Sequence, residues 1–246
     1  RNTLKFLLAN ISDFDPAKDA LPVDEWLEID RYALALTQSL QDGIRAHYDA
    51  YEFHFIAQKL QSFCSEDLGG FYLDILKDRL YTSGAASPAR RSAQNALYHV
   101  SHALARWMAP ILSFTGEEVW GELAGNADDS VFLHTWHELP EIADASLIER
   151  WTRIRALRAD VQKELEAVRV AGGIGSSLQA EVTLHAGPDT HALLSPLGDD
   201  LRFVLIVSKA TLLAAAADRV VVTPAAGTKC GRCWHVRDDG GIDAGH

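Results

Sequence analysis

The sequence predicts a mainly α-helical protein, in which an antiparallel helical bundle is followed by a small α+β domain and an incomplete zinc knuckle. Three observations support this prediction. Apolar residues recur at steps of three and four over the first 140 residues, which is the spacing of one helical face. From Ala180 the spacing changes to the alternation of a strand. Cys230 and Cys233 then form a C-x-x-C pair near the end of the sequence.

The bundle is assigned to residues 1–145 from its apolar stripes and its helix ends. The stripes cover residues 29–48, 53–64, 68–80 and 97–112. Ser87 followed by Pro88 predicts the start of the fourth helix, since serine caps free N–H groups and proline has no N–H to leave unpaired there. Thr115 and Glu118 have capping-box spacing and predict the start of a further helix. The connections are short, so neighbouring helices should pack antiparallel.

Three segments follow the bundle. Residues 146–178 are predicted as a long basic helix and a glycine-rich linker, 179–226 as the small α+β domain, and 227–246 as a truncated zinc-knuckle segment. Within the α+β domain, residues 180–186, 203–207 and 219–223 are alternating or β-branched and predict strands, with a short helix over 190–197.

Composition limits the function classes. The net charge of −11 argues against a surface that is basic throughout, although it is compatible with one basic face. No apolar run is long enough to span a membrane. The sequence begins without methionine or a signal-peptide pattern, so we expect a piece of a longer protein. Three cysteines, two of them clustered, fit a reducing cytosol and predict a cytoplasmic protein.

Cys230 and Cys233 are the candidate metal ligands. Two sulfurs in a tight turn point toward one ion, and backbone N–H groups of the turn support the thiolates, so the pair is half of a tetrahedral zinc site. His235 and His246 are further candidates, but their spacing is not typical of a zinc site. The alternatives are a fortuitous pair and a redox pair, and the latter needs a thioredoxin-like context that the sequence lacks.

Basic residues cluster at Lys77, Arg79, Arg90 and Arg91, around two predicted helices. Arginine forks bind phosphates, so such a cluster could follow an RNA backbone. The alternative is a solvated helix face with local ion pairs, because acidic residues such as Asp74 are interleaved. The local pattern alone favours this alternative.

Two tryptophan environments are predicted. Trp107 and Trp120 lie on apolar stripes and are expected in the core. Trp234 directly follows a turn cysteine, and Arg232 lies within the same turn. An exposed tryptophan there could stack on an unpaired base, or it could cover the small core of the knuckle itself.

No catalytic residues are predicted. His99 with His102, and His134 with His137, have spacings that occur in metal sites, but no carboxylates are organised with them, so surface or core positions are favoured. The sequence contains no phosphate-binding loop, nucleophile elbow or zinc-protease motif.

The segment WMAPILSFTGEEVW at 107–120 resembles a signature shared by the anticodon-binding bundles of isoleucine, valine and leucine tRNA ligases. Residues 1–10, 71–81, 89–92 and 175–180, and the Cys-x-Arg-Cys-Trp knuckle at 230–234, resemble bacterial isoleucine enzymes in the same order. The sequence as a whole therefore resembles the C-terminal anticodon-binding region of bacterial isoleucine–tRNA ligases, which are class I aminoacyl-tRNA synthetases.

This resemblance implies a full enzyme that activates isoleucine with ATP and magnesium, transfers it to tRNA and edits valine in a separate domain. The family motifs H-I-G-H and K-M-S-K-S do not occur in this sequence. We therefore expect an inactive module that binds isoleucine tRNA, with no DNA or membrane partner, as part of a monomeric enzyme. The expected phosphate contacts are Lys77, Arg79, Arg90 and Arg91, and the expected base contacts are Arg232 and Trp234.

The knuckle departs from the family pattern. The family peptide has four cysteines in two pairs, whereas only Cys230 and Cys233 occur here. Because metal binding supplies the folding energy of such knuckles, we expect little or no zinc and a mobile segment after about Thr228. Two other functions stay open: a helical protein-interaction module with a zinc knuckle, and the same region of a valine or leucine enzyme, against which the knuckle and the α+β domain weigh.

Overall fold

A computed structural model describes residues 1–126 and 128–237, and the chain divides into two units, Arg1–Ile148 and Glu149–His246. The first unit is helical, as predicted. Its α-helices are α1 (Asn2–Ile11), α2 (Pro16–Asp19), α3 (Glu28–Asp49), α4 (Phe53–Ser62), α5 (Leu73–Thr82), α6 (Pro88–Met108) and α7 (Ser113–Ala124). Short 3-10 helices occupy Val23–Glu25 and Val131–Leu133. Among the described residues, no helix is both long and apolar enough to cross a bilayer.

Helix α6 lies at the centre of the first unit and packs against α1, α3, α5 and α7. Its start confirms the sequence prediction, because the Ser87 side chain accepts a hydrogen bond from the Arg90 N–H and Pro88 occupies the first turn. Trp107 and Trp120 are buried, as predicted. The apolar stripe ends at Met108, so the last two positions of the predicted stripe, Ile111 and Leu112, are exposed.

The predicted capping box is wrong. Helix α7 already begins at Ser113, two residues before Thr115, and its N-cap position is Leu112. The neighbouring Glu117 contacts a later segment, since its Oε2 accepts a hydrogen bond from the Val131 N–H at 3.2 Å. The acidic side chain therefore holds the following segment against α7.

A ten-residue π-helix, Phe63–Tyr72, joins α4 to α5 without a break. Its wide turns bring backbone carbonyls close to two glycines. A β-carbon at Gly69 would lie 3.0 Å from the Cys64 carbonyl oxygen, and one at Gly70 would lie 3.2 Å from that of Ser65. The stripe at 68–80 predicted an ordinary α-helix here, because the sequence pattern does not distinguish the wider turn.

The second unit combines a long helix with a three-stranded sheet. Its elements are α8 (Leu147–Val170, which begins two residues before the unit boundary), a 3-10 turn (Ser177–Gln179), β1 (Ala180–Ala186), α9 (Pro188–Leu194), a 3-10 segment (Ser195–Asp200), α10 (Leu201–Leu205), β2 (Lys209–Ala214), β3 (Arg219–Pro224), β4 (Thr228–Lys229) and β5 (Val236–Arg237). The sheet order is β2-β1-β3, with β1 parallel to β2 and antiparallel to β3.

One predicted strand is wrong. The apolar run 203–207 does not form a strand, because its first part belongs to α10, which buries Leu201, Val204 and Leu205 on one face. That helix ends at Ile206, whose φ of 57° is left-handed. The strand that pairs in parallel with β1 is instead β2, which begins a few residues later at Lys209. The strand predictions at β1 and β3 are confirmed.

Candidate nucleic-acid interface

Arg79 lies in the core of the bundle. Its Nη1 and Nη2 donate to the two carboxylate oxygens of Asp30 at 3.0 and 2.9 Å, and the Asp30 side chain is fully buried. The hydroxyl groups of Tyr72 and Ser92 also donate to that carboxylate. Burial, reinforced by the Asp30 charge, raises the pKa of Tyr72 well above its ordinary value. The predicted phosphate contact at Arg79 is incompatible with this burial, so Arg79 holds α5 to α3.

Arg90 and Arg91 hold the segment after α1 against α6. Arg90 makes a two-pronged ion pair with Asp13, at 2.7 and 3.0 Å, and its side chain is 15% exposed. This hydrogen bonding lowers the pKa of Asp13. Arg91 pairs with Asp19 at 3.4 Å. Their predicted role in phosphate binding stays a prediction, and both would have to exchange an intramolecular partner to perform it.

Three further basic residues also have local partners. Lys77 is exposed and pairs with Asp74 at 2.7 Å. On α8, Lys163 pairs with Asp160 and Arg169 pairs with Glu166. Local ion pairing, the alternative favoured by the interleaved acids, therefore accounts for much of the basic clustering.

Aromatic side chains gather at one end of the bundle, which we call the aromatic end: Tyr48, Tyr51, Phe53, Phe132 and Trp136. The Tyr48 ring contacts the rings of Phe53 and Trp136, with centroids 5.9 and 6.0 Å apart. Tyr51 is 79% exposed and has a positive φ of 59°. A non-glycine residue held in this conformation costs about 1–2 kcal/mol, and such strain is frequent at functional sites.

Two clefts flank Trp136. One has a volume of about 590 Å³ and is lined by polar side chains of α3, including Gln38, Asp42 and Arg45. The other, of about 340 Å³, lies beside Tyr48 and Pro110. The Arg45 guanidinium lies 5.1 Å from the centroid of the Trp136 ring. Sequence reasoning missed this site because its residues come from the end of α3, the α6–α7 connection and a loop.

A histidine cluster, His99, His102 and His137, joins α6 to the loop that carries Trp136. This loop follows the 3-10 helix Val131–Leu133. His99 Nδ1 and His137 Nε2 are 2.9 Å apart, and the rings of His102 and His137 stack at 5.2 Å. Burial lowers the pKa of His99 and His102 to about 4 and that of His137 to about 3. His102 is buried and His99 and His137 are half-buried, so the neutral cluster supports the loop that carries Trp136.

His134, the fourth histidine, lies apart from this cluster on the exposed side of the loop. Its Nε2 lies 2.8 Å from Asp129 Oδ2. Its ring packs on that of Trp120, with centroids 4.6 Å apart. Arg106 covers the same indole at 4.4 Å. The loop is therefore held to α7 by the contact of His134 with Trp120 and to α6 by the histidine cluster.

The knuckle forms a hairpin in which β4 and β5 pair antiparallel around the C-x-x-C turn. The Arg232 N–H donates to Cys230 Sγ at 3.4 Å. Backbone hydrogen bonds, first from Cys233 and then from Arg232, lower the pKa of the Cys230 thiol. Trp234 is 60% exposed with a φ of 65°, and Lys229 Nζ lies 4.9 Å from its ring centroid. Trp234 therefore faces solvent, as the base-stacking hypothesis requires.

The hairpin packs against the rest of the second unit. Ser208 Oγ accepts a hydrogen bond from the Val236 N–H at 2.7 Å and donates to the Leu178 carbonyl. The buried His235 ring contacts Phe203 at 6.1 Å. Residues up to Arg237 thus have a defined hairpin, which differs from the mobile segment expected after Thr228, because these contacts need no metal. The rest of that segment, with His246, lies outside the described residues.

The donor set does not complete a zinc site. The Cys230 and Cys233 sulfurs fit half of a tetrahedral site, and the turn supports a thiolate at Cys230. Within 1–126 and 128–237, however, no three or more histidine, cysteine, aspartate or glutamate side chains are arranged to hold a metal ion. Zinc occupancy stays a prediction.

The sequence pattern of the anticodon-binding domain of tRNA ligases matches residues 30–184, more than half of the chain. The chain belongs to this family. The match confirms the resemblance seen in the sequence. It runs from the start of α3 into β1 and so contains Tyr48, Trp136 and both clefts, whereas Arg232 and Trp234 lie outside it.

Curated relatives of this anticodon-binding domain narrow the similarity. The chain is 75% identical, over 99% of its length, to an isoleucine–tRNA ligase of Thiobacillus denitrificans. It is 59% and 58% identical, over its whole length, to isoleucine–tRNA ligases of Dechloromonas aromatica and a Janthinobacterium species. The chain spans about a quarter of the length of these relatives, 26% in each case. These similarities favour the isoleucine enzymes over the valine and leucine alternatives.

Proposed function

We propose that this domain binds the anticodon arm of isoleucine tRNA as part of an isoleucine–tRNA ligase. The observation that carries the proposal is the aromatic end with its two clefts, which lies inside the region matched to anticodon-binding domains. A tRNA loop presents unpaired bases, and unpaired bases are read by stacking and by hydrogen bonds to their edges.

The aromatic end suits unpaired bases for three reasons. Tyr51 and Phe53 expose aromatic faces, at 79% and 45% of their surface. Trp136 lies between two clefts of base-accommodating size. Arg45 places a cation next to that ring and next to the polar α3 side chains that could bind base edges. Stacking of one base on one aromatic residue contributes about 1–3 kcal/mol.

The knuckle is the second proposed contact. Trp234 is exposed beside Lys229, and Arg232 lies in the same turn. A stacking ring next to two cations is the combination that single-stranded RNA binds, with base faces on the ring and phosphates on the cations. Lys77 remains the exposed member of the predicted phosphate set.

We further propose that the longer enzyme works in the cytoplasm and attaches isoleucine to this tRNA with ATP, and that the present domain contributes tRNA binding. The similarity of the chain to isoleucine–tRNA ligases supports this assignment. The domain's own residues then orient the anticodon arm, and the reacting groups lie elsewhere in the enzyme.

The proposal is tested by measuring the affinity of the chain for isoleucine tRNA with Trp136→Ala and Tyr81→Ala variants. Tyr81 is a matched control because it is exposed and lies in the last turn of α5, before α6 begins at Pro88, whereas the clefts adjoin the end of that 21-residue helix. Trp136→Ala should weaken binding roughly 5- to 150-fold, and Tyr81→Ala should not. Equal affinities for both variants would remove the aromatic end from the interface.

Specificity needs a separate titration. Isoleucine tRNA should bind more tightly than the same tRNA with a changed anticodon and more tightly than valine tRNA. Affinity should fall as salt rises, with a logarithmic slope of roughly −0.7 for each phosphate contact in the loop. Equal binding of all three tRNAs would rule out anticodon recognition. No binding of any tRNA would favour the protein-interaction module.

A further inference from the structure

The second unit contains a cavity of about 250 Å³ that the tRNA proposal does not use. It lies between α8, the sheet and the short helices α9 and α10. The two short helices have seven and five residues, and both contribute side chains to the lining of the cavity.

The lining of the cavity is mainly aliphatic, although it also includes the polar side chains of His185 and Thr190. Ile154, Leu157 and Val161 line it from α8, at the spacing of one helical face. Leu184 and Val220, which are direct partners in the pairing of β1 with β3, form its floor. The remaining wall comes from aliphatic side chains of α9 and α10, namely Leu194, Leu201, Val204 and Leu205.

Charged groups also lie around the cavity. Its lining includes the carboxylates of Asp160, Glu164 and Asp218, and the guanidinium groups of Arg158 and Arg219. A sixth charge, Lys163, pairs with Asp160 at 2.8 Å. Asp218 accepts a hydrogen bond from the Thr190 hydroxyl at 2.7 Å, and Arg158 donates to the Val204 carbonyl at 2.8 Å. Four of these six charged groups therefore already have partners within the protein, and the carboxylates at Asp160, Glu164 and Asp218 are exposed to solvent.

We infer that this cavity is a binding site for a small uncharged apolar molecule of about four to six carbon atoms. An apolar cavity of about 150 Å³ is already large enough to stay dry and bind a benzene-sized guest, and this one is larger. The inference is independent of tRNA binding, because it uses none of the residues of the aromatic end or the knuckle.

The test titrates the full chain, carrying ¹³C-labelled leucine and valine methyl groups, with 1-butanol, 1-pentanol and 1-hexanol. The methyl signals of Leu184 and Val220 should shift and saturate, and the dissociation constant should fall about fourfold for each added methylene. Hexanoate and hexylamine, which have six carbon atoms like 1-hexanol but a charged end, should bind more weakly than 1-hexanol. The absence of saturable shifts would overturn the site, and tighter binding of either ion would overturn the ligand class.

Two variants locate the binding. Leu157→Phe should fill the cavity and weaken 1-hexanol binding at least tenfold, whereas Ala156→Phe adds the same ring to an exposed neighbouring position of α8 and should leave it unchanged. If circular dichroism shows that Leu157→Phe does not fold, Leu157→Ala takes its place. That variant enlarges the cavity, so the gain per methylene should continue to 1-octanol; a gain that stops at the same chain length as in the unmodified protein would overturn the inference.

Discussion

Replacing Arg79 with methionine should remove the guanidinium that binds the buried Asp30 carboxylate. The ion pair has two contacts of 3.0 and 2.9 Å, and the two side chains are 7% and 0% exposed. Without Arg79 the carboxylate keeps the hydroxyl donors of Tyr72 and Ser92 but loses its cation. Breaking a buried pair on one side costs about 3–5 kcal/mol, a large part of the stability of an ordinary domain.

The assay is urea unfolding followed by tryptophan fluorescence, because four of the six tryptophans lie in the first unit. Lys77→Met on the same helix is the control, since its exposed ion pair with Asp74 should contribute less than about 1 kcal/mol. A loss for Arg79→Met no larger than for Lys77→Met would refute the structural role. At a temperature where Arg79→Met stays folded, its affinity for isoleucine tRNA should be unchanged; a marked loss would restore the predicted phosphate contact.

Further predictions concern the histidine cluster, a strained turn, the knuckle and zinc. Burial holds the pKa values of the histidine cluster at about 3 to 4, below the ordinary value near 6.5. The unfolded chain therefore binds more protons, so stability should be full above pH 6.5 and fall toward pH 4, by up to about 1.4 kcal/mol per pH unit for each histidine; urea unfolding at pH 4 to 8 that shows no such slope would contradict this. Tyr51→Gly should relieve a positive φ and stabilise the bundle by up to about 1 kcal/mol while weakening tRNA binding, and a Tm that falls would argue against strain. Ser208→Ala should lower the free energy of unfolding by about 1–2 kcal/mol. It should also speed hydrogen exchange at the Val236 amide, which donates a hydrogen bond to Ser208 Oγ; unchanged exchange would show that the knuckle is held by other contacts. Elemental analysis should find well under one zinc per chain, and stoichiometric zinc would refute the half-site interpretation.

The helices were predictable where one local signal decided them. Ser87 and Pro88 mark the start of α6 because capping chemistry acts over a few residues. The strand predicted at 203–207 was wrong because five consecutive apolar residues suit a buried strand or a helix equally. The helix buries Leu201, Val204 and Leu205 on one face. What covers that face comes from other parts of the sequence, so the local pattern could not predict it.

The candidate site was less predictable than the fold. Arg79 was taken for a phosphate contact because its partner, Asp30, lies 49 residues away in sequence. Trp136 gave no signal at all, since its importance comes from Tyr48 and Arg45, which reach it from α3. The knuckle was different: all its chemistry lies within six consecutive residues, so the exposed Trp234 and the supported Cys230 sulfur could be expected from the sequence.

The π-helix at Phe63–Tyr72 determines which side chains of α5 face the bundle, because it runs into α5 without a break. Each residue of an α-helix turns the chain by about 100°, so removing one residue from the π segment would rotate α5 by more than a quarter turn. Tyr72 and Arg79, two helical turns apart, would then no longer both face Asp30. Length changes in these ten residues should therefore unfold the bundle, although the same changes in a surface loop would be harmless.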